Sequence, residues 1–404
     1  MASRRRTGTA DLPLHGGRAP AWLFQRMTRL SREIVVFMAS ELGTAEILRR
    51  LSDPHWFQAF ACVLGFDWHS SGVTTTATGA LKEGVRGLEH ELGFFVAGGK
   101  GATSRRTPSE IERFCERLGR DPAPLVRASK VSAKVDNTAV QSGHQLYHHS
   151  FMFLADGSWA VIQQGMSDET KSARRFHWLG ESVDSFVEEP HAAVCDDARG
   201  DVLVNFVAAE SADARAAAVE LAASDPKRSL DAIARASELV MPRRHELKLD
   251  DVNPAYIDRI LLKTYAAAPS SFEELLGIQG VGPKTLRSLA LVSELVYGTR
   301  ASTRDPARYA FAHGGKDGTP FPVDRATYDR TVSILESALN GARGVERSER
   351  VKAFRRLAKF AEPGEGAPGP ARSAQPDGAG GRRNAALDPP GNAVTASDAS
   401  VRSS

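Results

Sequence analysis

The chain is poor in cysteine: three residues in 404, at Cys62, Cys115 and Cys195. They stand far apart, with no CxxC pair and no even count, which excludes a disulfide framework and leaves free thiols in a reducing cytoplasm as the expectation. Uninterrupted apolar stretches of ~18 residues are also missing, so no transmembrane helix and no membrane partner is expected. The opening "MASRRRTGTADLPL" has arginines but no apolar run behind them, unlike a signal peptide. Nor is one sign of charge in large excess. With 52 Lys and Arg against 49 Asp and Glu, the formal charge is +3. That balance announces no nucleic-acid binder, and any basic surface has to be local.

What is present suffices for full cores: 42% of residues are hydrophobic and 25% charged, at a length that suggests two domains or more. Apolar residues from Leu23 to Met38 recur at helical spacing. Asp53-Pro54 caps a second helix in "SDPHWFQAFACVLG". A strand is expected around Phe94 to Ala97, then a Gly-rich loop, then a helix opened by a capping box from Thr107 to Glu110. "YHHSFMFLADGSWAVIQQGM" predicts a β-hairpin, and "DVLVNFV" a further strand. Beyond residue 211 the pattern is helical, ending in a basic amphipathic helix near Gly341 to Phe360 with Val351, Phe354 and Leu357 inward. The composition from Glu362 onward cannot order itself. The expected fold is α+β: a mixed α/β domain over 1–210, an all-helical domain over 211–361 and a disordered tail over 362–404.

"LLGIQGVGPKTLRSLALV", Leu275 to Val292, interrupts a helix with three glycines and a proline. Gly277 ends the first helix, Gly280 and Gly282 free the backbone of Cβ obstruction, and Pro283-Lys284 reopen the helix with its positive dipole end outward. The segment resembles the helix-hairpin-helix motif of DNA repair and recombination proteins. That resemblance implies backbone contacts to nucleic acid at Gly280, Val281, Gly282, Lys284 and Thr285, weakened by salt and blind to base sequence.

Polar clusters gather in the first half. A two-residue turn on Asp156-Gly157 sets His149 opposite Gln164 and Ser150 opposite Gln163. It sends His148, Ser150 and Gln163 to one face, with Tyr147, His149 and Gln164 on the other. With Lys130, Lys134, Asp136, Asn137, Gln141 and His144 upstream, this end of the hairpin can bind a metal or contact a phosphodiester. The candidate catalytic set is His148, His149, Asp136, Lys134, Gln163 and Gln164. "VIQQG" has neither the acid nor the lysine of restriction-type nuclease hairpins. "GFDWHSSGVTTT" offers Asp67 and His69, which with Asp136 and His148 form a candidate set for a divalent metal, and Ser70 and Ser71 for a phosphate. Gly98, Gly99, Lys100 and Gly101 of "VAGGKGATSRR" are a second phosphate candidate, without the spacing of a Walker loop. His15 and Arg18 stand near another Gly pair.

"TADLPLHGGRAPAWL", "DWHSSGVTTT", "GGKG", "DNTA", "LYHH", "QQGM", "GIQGVGPKTLR" and "HGGKDGTPFPVDRATYDRT" together resemble an uncharacterised bacterial and archaeal family, domain of unknown function 763. At Gln141-Ser142 an acidic residue expected after the glutamine is absent, which removes one metal ligand. Three readings stand. The first is a nucleic-acid-acting protein, with DNA as partner and a metal-dependent nuclease or phosphodiesterase site in repair or processing. The second is a non-catalytic DNA-binding component. The third is an enzyme on a phosphorylated small molecule, using "GGKG".

Overall fold

A fully buried helix explains much of the first layer. Asp53 Oδ1 accepts hydrogen bonds from the backbone N–H of His55 at 2.8 Å and Trp56 at 3.1 Å, and Pro54 opens the helix Pro54–Leu64 without wasting a donor. Every residue of this helix is buried, as its unbroken apolar sequence requires. Gly65, at φ 117°, closes it. The computed structural model describes residues 19–65, 72–170, 172–196, 204–227, 230–231, 254–307, 325–342 and 345–361.

Around that helix pack Ala21–Glu41, Thr44–Ser52 and Gly72–Val85. They cover one face of a five-stranded antiparallel sheet, whose strands are β1 (Phe94–Lys100), β3 (Gln145–Leu154), β4 (Trp159–Ser167), β5 (Ser172–Leu179) and β6 (Ala193–Asp196), in that order. β2 (Val140–Gln141) pairs separately with β7 (Val204–Asn205). The fold is mixed α+β, with helices on both sides of the sheet. Alternation along the strands splits the core in two. Phe94, Val96, Met152, Leu154, Ala160 and Ile162 join the first helical layer. Phe95, Ala97, Phe151, Phe153, Val161, Phe176 and Trp178 face the second.

The second layer contains Thr107–Leu118, Ala123–Lys134, Ala212–Ala223, Pro254–Ala267, Phe272–Gly277 and Pro283–Tyr297, which supply Ile111, Leu125, Leu221, Ile260, Leu275 and Leu286 to the same cluster. The last two helices, Arg325–Gly341 and Arg347–Ala361, return to the first layer, where Leu335, Leu339 and Leu357 pack with Met27, Ile34 and Phe60. Arg356 Nη1 donates to the Val63 carbonyl at 2.8 Å, satisfying an acceptor at the end of the buried helix. Helices from beyond residue 211 therefore serve both faces of the sheet.

Three local expectations need correction. The hairpin turn is a three-residue loop, Ala155 to Gly157: Leu154 N–H donates to Ser158 O at 2.8 Å and Gly157 takes φ 91°. A left-handed glycine in third place gives this loop its bulge, and the register moves by one. His149 faces Gln163, and His148 faces Gln164. The Thr107–Glu110 capping box does not form, because Glu110 accepts instead from Gly98 N at 2.8 Å and from Lys82 Nζ at 2.6 Å. Val351 is 41% exposed rather than inward. Among the described residues no helix is long and apolar enough to cross a membrane. The expected 362–404 tail, His15 and Arg18 lie outside the described residues.

Candidate functional site

The corrected register builds a buried chain of side chains. A π-helical turn, Val135–Ala139, follows the helix Ala123–Lys134. Its wider winding turns Asp136 inward, where only 1% of the residue is exposed. Asp136 Oδ2 accepts from Gln163 Nε2 at 2.6 Å and from Trp178 Nε1 at 2.9 Å, and Oδ1 lies 2.5 Å from His191 Nε2. Gln163 Oε1 meets His149 Nδ1 at 2.7 Å, and His149 Nε2 meets Ser129 Oγ at 2.9 Å. Burial raises the Asp136 carboxyl against the opposing pull of His191, Trp178 and Gln163. Burial lowers His149 to about 4, opposed by its bond to Gln163. Its imidazole is neutral at pH 7.

His148 points to the opposite face of the sheet. Its Nε2 lies 3.0 Å from Thr78 Oγ1, while Nδ1 has no hydrogen-bond partner among the described residues. Burial, helped by His149 and Lys100, lowers it to about 3. Gln164 Nε2 donates to Tyr147 OH at 2.5 Å. Asp136 and His148 thus belong to separate networks. Asp67, His69, Ser70 and Ser71 lie outside the described residues. Among the described residues no three His, Cys, Asp or Glu side chains gather as a metal site.

Beside the buried chain opens a cleft of about 490 Å³. Ser129, Lys130 and Lys134 line it from one helix, His149 and the strand at His148 from β3, Ser104 and Arg105 from the turn after β1, Asn137 and Thr138 from the π-helical turn, and Gly282 and Pro283 from the far side. Among the described residues it has three cationic side chains and no carboxylate. Lys134, whose ammonium is depressed by burial, donates from Nζ to Val281 O at 2.5 Å. Gln141 Nε2 donates to Thr138 O and Pro283 O, each at 3.0 Å. These bonds fasten the 278–282 connection to the second layer.

Within that connection the five singled-out residues divide. Val281 is wholly buried and its N–H donates to Ile278 O at 3.1 Å. Thr285 is 1% exposed. Gly280 takes φ 102°, and a Cβ there would meet Ile260 Cδ1 at 2.5 Å, so its glycine serves packing. Gly282 is an extended N-cap, and among the described residues a built Cβ there would meet only Gly280 O, at 4.0 Å. Of the five, Lys284 is exposed, Gly280 and Gly282 are half-buried, and Val281 and Thr285 are buried.

The Gly98–Gly101 segment has its own occupation. Gly98 N–H goes to Glu110, its carbonyl accepts from Lys82 Nζ at 2.8 Å, and a Cβ on it would meet His149 O at 2.2 Å. Lys100 Nζ sits 5.7 Å from the Tyr147 ring centre. Gly99 and Lys100 line a larger cleft of about 1110 Å³ with Arg86, Arg106, Arg113, Glu83 and Glu89, a surface of mixed sign. Ser129, Trp178 and His191 were not legible as site residues. Ser129 reads as an ordinary helix position, and His191 follows a proline in a stretch without periodicity.

The chain belongs to the family described as Protein of unknown function (DUF763), whose model matches residues 8–323. No curated protein and no solved structure matches it.

Proposed function

We propose that this member of the family binds the phosphodiester backbone of nucleic acid, with DNA as the partner, in the cleft between Lys130 and Gly282. The observation that carries the reading is the sign of the lining: among the described residues Arg105, Lys130 and Lys134 stand around the cleft and no carboxylate does. In a partly enclosed space such charges are poorly screened and favour a polyanion. The start of the Pro283–Tyr297 helix adds a positive dipole end on the same wall. In this reading the Leu275 to Val292 segment acts as a helix-hairpin-helix with a reduced contact set, Gly282 and Lys284.

Fluorescence anisotropy with single- and double-stranded DNA oligonucleotides tests it. Arg105→Glu and Lys130→Glu are each expected to weaken retention by ~10-fold. The logarithm of affinity should fall with that of salt at a slope of about −2 to −3, as for two or three neutralised phosphates. Retention unchanged by both reversals at low salt sinks the reading. Processing of the bound strand in DNA repair, with or without a divalent metal, extends this proposal. An enzyme of phosphorylated small molecules is less well supported, because the Gly98 amide that such a phosphate needs already holds Glu110.

A further inference from the structure

We infer that Ser129 is a nucleophile activated by His149, and that the cleft carries out phosphoryl transfer through a covalent serine intermediate. The inference rests on the binding reading above for its substrate, a phosphodiester, but on separate observations for its chemistry.

The polarity of the buried chain is fixed from its far end. Trp178 Nε1 can only donate, and it donates to Asp136 Oδ2 at 2.9 Å. Gln163 approaches that same oxygen at 2.6 Å, so it presents its NH₂ group there wherever the proton between Asp136 Oδ1 and His191 resides. Its carbonyl oxygen therefore turns to His149, 2.7 Å from Nδ1. Nδ1 must then carry the imidazole proton, and the lone pair falls on Nε2. At 2.9 Å from that lone pair lies Ser129 Oγ, which has no other hydrogen-bond partner among the described residues. The hydroxyl proton points to the base, and Ser129, 2% exposed, lines the cleft together with His149. Nucleophile, base and orienting group stand within hydrogen-bond reach in sequence, the arrangement that activated serines need. Burial of His149 keeps it neutral and able to accept.

The step balances without a co-reactant. Ser129 Oγ forms a bond to phosphorus, its proton passes to His149 Nε2, the bond from phosphorus to one ester oxygen breaks, and that oxygen leaves as an alcohol with the proton from His149. Water or a strand hydroxyl then reverses the sequence. Lys130 and Arg105 line the same cleft, and cations there favour the charge that grows on the non-bridging oxygens. Gln163 and Asp136 are positioning residues.

The test treats the full chain with a fluorophosphonate, which phosphorylates activated serines, and reads intact mass and the modified peptide. One adduct at Ser129 is expected, with Ser129→Ala unlabelled. His149→Gln should be slowed by about 10²-fold or more. In Gln163→Leu, labelling should slow while the site remains Ser129, which loss of fold alone does not produce. An unlabelled wild type, or a label that survives Ser129→Ala, overturns the inference. The two readings fail separately. Oligonucleotide retention without labelling removes the nucleophile and leaves binding. A Ser129 adduct without retention keeps the nucleophile and moves the substrate to a smaller phosphoester.

Discussion

His148 and His149 neighbour each other in sequence yet belong to different environments, because a strand sends them to opposite faces. Both are held neutral by burial, at about 3 and about 4. In the unfolded chain an imidazole binds its proton near ~6.5. Between those values the unfolded state holds more protons, so acid favours unfolding. The stability the two residues contribute is complete above pH ~6.5 and is lost as pH falls towards 4 and then 3. Calorimetry is expected to show the melting temperature falling between pH 7 and 5, and falling less steeply in His148→Gln, whose side chain cannot titrate. Asp136, raised by burial, acts with the opposite sign, which the comparison within one variant pair cancels. A slope identical in wild type and His148→Gln would assign the acid sensitivity elsewhere.

At the scale of an element, the connection between Phe272–Gly277 and Pro283–Tyr297 separates packing from contact. Gly280→Ala meets both a positive φ and Ile260, so a loss of about 1–2 kcal/mol is expected from urea denaturation. Gly282→Asp should behave in the opposite way. Its extended backbone suits an N-capping carboxylate, which stabilises the following helix by ~0.5–1 kcal/mol, while the new negative charge in the cleft weakens oligonucleotide retention. A variant both more stable and equally retentive would remove Gly282 from the interface. The glycine and proline spacing made this corner readable from sequence, as Asp53-Pro54 did for the buried helix. The hairpin was readable in place but not in register, since an Asp-Gly pair serves two-residue and three-residue loops alike. That single residue decided whether His149 met Gln163 or Gln164, and with it the chain to Asp136. Ser129 and His191 lie 20 and 42 positions from His149, and only the packing of a helix and a loop onto the sheet brings Ser129 to His149 and His191 to Asp136.

At the scale of the whole molecule, the sheet is a partition with a different core on each side. Leu357, 1% exposed among residues of the first layer, should cost about 2–5 kcal/mol on truncation to Ala, read as a lower urea midpoint. Its loss leaves the cleft lining unchanged, since none of those residues belongs to the first layer's apolar cluster. Oligonucleotide retention below the new melting point is therefore expected to match wild type.

The return of the Arg325–Gly341 and Arg347–Ala361 helices to the Ala21–Glu41 side has a bearing on synthesis. A ribosome delivers the first layer's opening helices some three hundred residues before the helices that cover them. Until then Phe37 and the end of Pro54–Leu64 wait without the Gly341 and Arg356 that later seat on them. A growing chain thus carries bare apolar surface through most of its translation, the condition under which nascent polypeptides recruit chaperones.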